Sequence, residues 1–159
     1  MNIRHILASA LILLATAAGR APAQNLAVYA DESFRAALKE IVPMFKETTG
    51  FDIRLVLQPS DKLASRILNG AAVDLFFPAN EDAMRQVMEK GLVDVALKRN
   101  ILMAPPAEPV TDEIPAESKY VPAAVMINSA HRLQAMAFLE YLVSEPARGV
   151  FARQGFSLP

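Results

Sequence analysis

The chain has 159 residues, with 16 Lys and Arg against 17 Asp and Glu, no cysteine and two histidines. This slightly acidic balance argues against nucleic acid and anionic membrane surfaces as partners, because both require a basic face. Without cysteine there is no disulfide framework, thiolate nucleophile or thiolate metal site, and with only His131 beyond the first 23 residues a His-clustered metal centre is excluded, so no metal cation is expected as ligand or cofactor.

Residues 1–23 read as a secretory signal peptide. Arg4 precedes an uncharged, mostly apolar run from Ile6 to Ala18, and Ala21-Pro22-Ala23 supplies a cleavage-like ending. The run is too short to span a bilayer comfortably, and no later stretch is long and apolar enough. The expected product is a periplasmic domain, residues 24–159, that is not inserted in the membrane after processing.

Asn25 to Ala30 (NLAVYA) is apolar and β-prone and predicts a buried strand. Phe34, Ala37, Leu38, Ile41 and Phe45 then recur with a period near 3.6, which predicts a helix with one buried stripe, closed by Thr48-Thr49-Gly50. Pro43 lies inside this pattern and should kink the last turn. Phe51 to Leu57 alternates as a second strand, Pro59 stops it, and Ser60 stands before a helical stripe of Leu63, Ala64, Ile67 and Leu68. Val73 to Pro78 predicts a third strand and Glu81 to Lys90 a third helix ending at Gly91. Strands alternating with helices imply a parallel sheet with right-handed crossovers.

Beyond Lys98 the rhythm breaks over Pro105, Pro106, Pro109, Pro115 and Pro122, which predicts a linker or crossing strands rather than helix. Tyr120 to Ile127 predicts another strand, Arg132 to Leu142 a helix, and Pro146 to Gln154 one more short helix. The expected fold class is α/β, a three-layer sandwich with a mainly parallel sheet.

The strand, serine, helix, glycine unit occurs twice, with Ser33 and Ser60 at the helix starts. In a parallel sheet the loops after the strands share one edge. Both serines would lie there, each beside unpaired amides and the positive end of a helix dipole. Two such mouths facing each other make a site for a small oxyanion built from neutral donors. A serine at a helix start is an ordinary cap when taken singly; the recurrence is what points to a site.

These residues resemble a family. The stretch from Ala27 through Asp94, which includes the Ser33 and Ser60 turns and Gly70-Ala71-Ala72-Val73-Asp74-Leu75-Phe76, resembles the first half of lobe one of periplasmic molybdate-binding proteins, the solute receptors of ABC importers. Tyr120 to Pro159, with Gln154-Gly155-Phe156 near its end, resembles their carboxyl end. The resemblance implies one lobe of a type II periplasmic binding protein, with residues 24–99 as a first segment, 100–119 as a Pro-rich crossover where a second lobe would be inserted, and 120–159 as the returning strand and helices. It implies molybdate or tungstate as ligand, Ser33 and Ser60 as ligand-binding residues, no further cofactor, and the membrane subunits of an ABC importer as partners.

Two departures stand out. Most of the second lobe is missing, and with it the groups that would complete the oxyanion cage. A single lobe leaves one side of the ion facing water, which predicts a homodimer through the exposed cleft. Acidic residues also crowd the serines: Asp31 and Glu32 precede Ser33, and Asp61 follows Ser60, with Lys62 next to it. All four are site modulators in this reading. A carboxylate ~4 Å from an anion costs about 1 kcal/mol in water and several times that when partly buried, and these side chains could cap the helices and take the ligand's place.

Three functions compete on this sequence. The first is an oxyanion-binding module. The second is a truncated relic that keeps the fold as a non-binding interaction protein. The third, a serine hydrolase, lacks a Gly-x-Ser-x-Gly elbow and would rest on His131 alone. Smaller expectations are Asp74 as a buried anchor for loop amides, His131 as a surface or capping residue, Glu81 and Asp82 as first-turn acids, and Tyr29, Phe76 and Phe77 as core.

Overall fold

A computed structural model describes residues 25–104 and 120–159. The predicted signal peptide and residues 105–119 of the Pro-rich crossover lie outside the described residues. The strands are β1 (Leu26–Asp31), β2 (Ile53–Gln58), β3 (Leu75–Phe77), β4 (Val93–Met103) and β5 (Tyr120–Met126). The helices are α1 (Arg35–Thr49), α2 (Ser60–Leu68), α3 (Glu81–Glu89), α4 (Arg132–Leu142) and α5 (Glu145–Arg153), with a 3-10 turn over Glu32–Phe34 ahead of α1.

The sheet order is β2-β1-β3-β5-β4. β1 pairs parallel with both β2 and β3, whereas β5 runs antiparallel to β3 and to β4. Four strands therefore point one way and β5 opposes them, so the sheet is mixed: parallel over β2-β1-β3, as the alternation of strands and helices implies, and antiparallel over β3-β5-β4. Pro122 lies within β5, opposite Asn100, where the register with β4 shifts and beyond the two residues that pair with β3. Its missing amide is tolerated there because the ladder is already interrupted.

Strand alternation divides the core. Leu26, Val28 and Ala30 of β1, with Leu75 and Phe77 of β3, face α1, α4 and α5 and pack on Ile41, Phe45, Phe138 and Phe151. Tyr29 and Phe76 face the other way, onto Leu63, Ile67, Met84 and Val87 of α2 and α3. The result is the three-layer sandwich. By the same alternation Asp31, the last residue of β1, falls on the α2 side with Tyr29.

α1 continues through Pro43 and ends at Gly50, whose φ of +75° is the left-handed cap that glycine takes without strain. β4 begins at Val93 and runs past residue 100, so the expected segment boundary falls inside a strand. Residues 104–119 are all that lies between β4 and β5.

Candidate anion-binding site

From β1 the chain crosses to β2 on one side through α1, then to β3 on the other side through α2. The strand order reverses there, so the carboxyl ends of β1, β2 and β3 share an edge with α1 and α2 opening onto it from opposite faces of the sheet. Ser33 follows β1, Ser60 follows β2 and Ala79 follows β3.

The group at the centre of this edge is the Asp31 carboxylate. Its Oδ1 accepts the Ser33 amide at 2.9 Å. Its Oδ2 accepts both the Ser60 amide at 2.8 Å and the Ser60 hydroxyl at 2.5 Å. The Ser60 Oγ in turn accepts the Ala79 amide at 2.9 Å. Loops after three strands thus meet around one carboxylate, with Asp31 8% and Ser60 4% exposed.

Neither serine is a helix cap. Asp31 is the N-cap of the 3-10 turn, and Ser60 is the first residue of α2 behind Pro59, which offers no side-chain cap. Asp31 therefore serves two helix starts at once. Burial pushes its carboxyl upward, but the Ser60 hydroxyl, both Ser33 donors and the Ser60 amide together outweigh that and hold it below its ordinary value of 3.8.

The donors gathered here are all neutral, as expected, and one of the neighbouring acids takes the place between them. The donors converge, but on an acidic side chain of the chain itself. Composition flagged Asp31 alongside Glu32, Asp61 and Lys62, and the structure separates them: Glu32, Asp61 and Lys62 are exposed. Asp61 and Lys62 border a surface depression on α2 with Gln58, Ser65 and Arg66. Beside the cradle lies a mainly apolar cavity of about 360 Å³, lined by Ser33, Phe34, Ala79, Leu102, Val121 and Phe156 among others. Phe34 fixes the wall between them by stacking on Phe77, with ring centroids 4.3 Å apart and planes 12° from parallel.

A second polar cluster occupies the opposite edge of the sheet. Asp74 Oδ2 accepts the buried Ala27 amide at 2.8 Å and lies 3.1 Å from His131 Nδ1. Its Oδ1 accepts the Ser129 hydroxyl at 2.7 Å and the His131 amide at 3.3 Å. Asp74 is a buried anchor for backbone amides, as its sequence context suggested. His131 stands at the N-cap position of α4, where its carbonyl accepts the Ala135 amide, but its ring gives no side-chain cap and is partly buried against Asp74. Glu81 and Asp82 stand in the first turn of α3, which Asn80 caps, and Glu81 also pairs with Lys98. Among the described residues no group of three or more His, Cys, Asp or Glu could hold a metal ion.

A lobe of α/β structure on a mixed sheet, whose loops converge on an anion at the strand-order reversal, defines a class, the periplasmic-type binding proteins. The chain belongs to the bacterial extracellular solute-binding protein family, which matches residues 26–117 and 107–157. It is 31% identical over 78 residues to the molybdate-binding protein ModA of Escherichia coli (strain K12), a match covering 49% of this chain and 30% of that protein. The chain thus aligns with less than a third of that relative's length.

Two solved structures are similar in fold. The substrate-binding domain of a putative molybdenum ABC transporter from Clostridium difficile superposes with a TM-score of 0.73 at 15% identity, covering 85% of this chain and 99% of that one. The periplasmic molybdate-binding protein of Azotobacter vinelandii gives 0.72 at 12% identity, covering 85% and 100%. The family to which the chain belongs is one of solute-binding proteins, which gives the hydrolase reading no support. No helix among the described residues is long and apolar enough to cross a membrane.

Proposed function

We propose that this chain is a periplasmic receptor for a tetrahedral oxyanion, molybdate or tungstate, and delivers it to the membrane subunits of an ABC importer. One observation carries the reading: the Ser33 amide, the Ser60 amide and the Ser60 hydroxyl all aim at a single anionic group. The two Asp31 oxygens stand where two oxygens of a small oxyanion would sit. Helix-start amides and a hydroxyl bind such an ion without a cationic clamp. Likeness to the molybdate-binding protein of Escherichia coli supports molybdate as the ion.

Ser33 and Ser60 are the binding residues in this reading. Residues 24–159 form the exported lobe, and a second copy of the chain covers the open side of the ion. Thermal melting in tungstate, molybdate and sulfate tests it. The expected result is a saturable rise in Tm at millimolar anion, larger for tungstate and molybdate than for sulfate. No rise with any of them, in the natural chain and in Asp31→Ala alike, would leave the reading of a non-binding interaction protein.

A further inference from the structure

Outside the proposed role of the serines the described residues hold a polar cluster around Asp74, an apolar cavity beside Phe34, and the carboxylate of Asp31. The first has every Asp74 contact satisfied within the chain. The second offers little beyond apolar wall and the Ser33 and Ser157 edges. Asp31 differs, because its contacts use the donors that a ligand would need.

We infer that Asp31 is the specificity-determining residue of the site, a built-in anion that occupies the cradle and that any oxyanion must displace. This rests on the reading of Ser33 and Ser60 as an anion cradle. The Ser60 hydroxyl has one proton, and it is given to Asp31 Oδ2. The acceptor side of that hydroxyl is engaged by the Ala79 amide, so the group cannot turn to serve a second anion while Asp31 stays. The Ser33 and Ser60 amides are committed to the two carboxylate oxygens. An oxyanion arriving at this edge meets no free donor among these and faces a negative charge within contact distance.

A tethered carboxylate has two consequences for selectivity. The apparent affinity is the intrinsic affinity multiplied by the fraction of molecules whose cradle is vacant, so a cradle vacant in about 1% of molecules weakens binding about 100-fold. The charge also penalises a dianion more than a monoanion of similar size, because repulsion scales with charge. The natural chain should therefore discriminate less between tungstate and a monovalent oxyanion such as perrhenate than a chain without the carboxylate does.

Calorimetric titration with sodium tungstate and with sodium perrhenate, at one pH near neutrality, tests the inference on the natural chain, Asp31→Ala, Asp31→Ser and Asp31→Ala/Ser60→Ala. Asp31→Ser is included because its hydroxyl can still cap the 3-10 turn if the alanine variant does not fold. The expected result is tungstate binding about 100-fold tighter in the single variants than in the natural chain, with a smaller gain for perrhenate and loss of the gain in the double variant. Equal tungstate affinity in the natural chain and the single variants would overturn the inference while leaving the anion cradle standing. Gained affinity that survives Ser60→Ala would also overturn it, because the ion would then be bound elsewhere. No binding by any folded variant would sink both the inference and the reading on which it rests.

Discussion

The Ser60 Oγ donates to Asp31 Oδ2 at 2.5 Å and accepts the Ala79 amide at 2.9 Å, so one hydroxyl ties the ends of β1, β2 and β3 together. Ser60→Ala removes both bonds, leaves the Ala79 amide without its acceptor and takes one donor from a buried carboxylate. A hydrogen bond to a charged group contributes about 1.5–3 kcal/mol, so the variant should lose roughly 2–3 kcal/mol by urea denaturation at neutral pH. A loss below about 0.5 kcal/mol, the range of an ordinary surface change, would mean that the hydroxyl is not holding the loops.

The depressed ionisation of Asp31 has a definite acid signature. A carboxyl whose folded pKa lies below its unfolded value contributes stability that is present above the unfolded range, near 3.9, and is lost as pH falls through the folded value. Asp74 shares the sign: burial raises its pKa, but the Ala27 amide, the Ser129 hydroxyl and the His131 side chain and charge lower it further. Unfolding free energy measured from pH 6 downward should therefore decline below about pH 4 in the natural chain. In Asp31→Asn the decline should be shallower, because one of the carboxyls with a lowered pKa is gone while Asp74 and the exposed, Arg132-paired Asp94 remain.

At the opposite edge, Asp74→Ala strips the acceptor from the buried Ala27 amide and leaves the Ser129 hydroxyl and the His131 ring without their partner. The expected cost is about 3 kcal/mol, against about 1 kcal/mol for Ser129→Ala, which removes the bond to Asp74 and one acceptor of the His131 amide, an amide that Asp74 Oδ1 still accepts. Chemical denaturation of the two variants side by side checks the ratio. Similar losses would show that the Ala27 amide finds another acceptor.

Phe34 connects the core to the site, since it stacks on Phe77 and touches Phe156 while the preceding residue supplies an amide to Asp31. Phe34→Ala should cost about 3–5 kcal/mol, the range for emptying a buried aromatic position. It should also speed hydrogen exchange at the Ser33 amide beyond what global destabilisation explains. An exchange rate that tracks global stability alone would separate the turn from the stack.

Glu32, Asp61 and Lys62 give a contrasting set. All three are exposed, and replacing each singly with Ala should change stability by no more than about 0.5 kcal/mol. Their tungstate response in thermal melting should stay within about twofold of the natural chain, since charges facing water are screened over about 8–10 Å at ordinary salt. A larger change at Asp61 would bring that residue back into the site.

Much of the architecture was legible from the residues themselves. The 3.6-residue stripe from Phe34 to Phe45, the alternation from Phe51 to Leu57 and the glycine stops depend on local periodicity and local backbone sterics, and they determined α1, β2 and the α/β class. The start of β4 carries a weak local signal, because Val95 and Ala96 are both exposed on an edge strand and apolar and polar residues do not alternate there. Only the tertiary structure decided which of the three acids meets the Ser33 and Ser60 donors. Asp31, Glu32 and Asp61 are alike in sequence, each within two residues of a serine near a helix start. β1 ends with Asp31 turned toward α2, and the strand order brings Ser60 across from it, so a carboxylate reaches donors 29 residues away. That meeting depends on sheet order and strand facing, which no local pattern around either serine encodes.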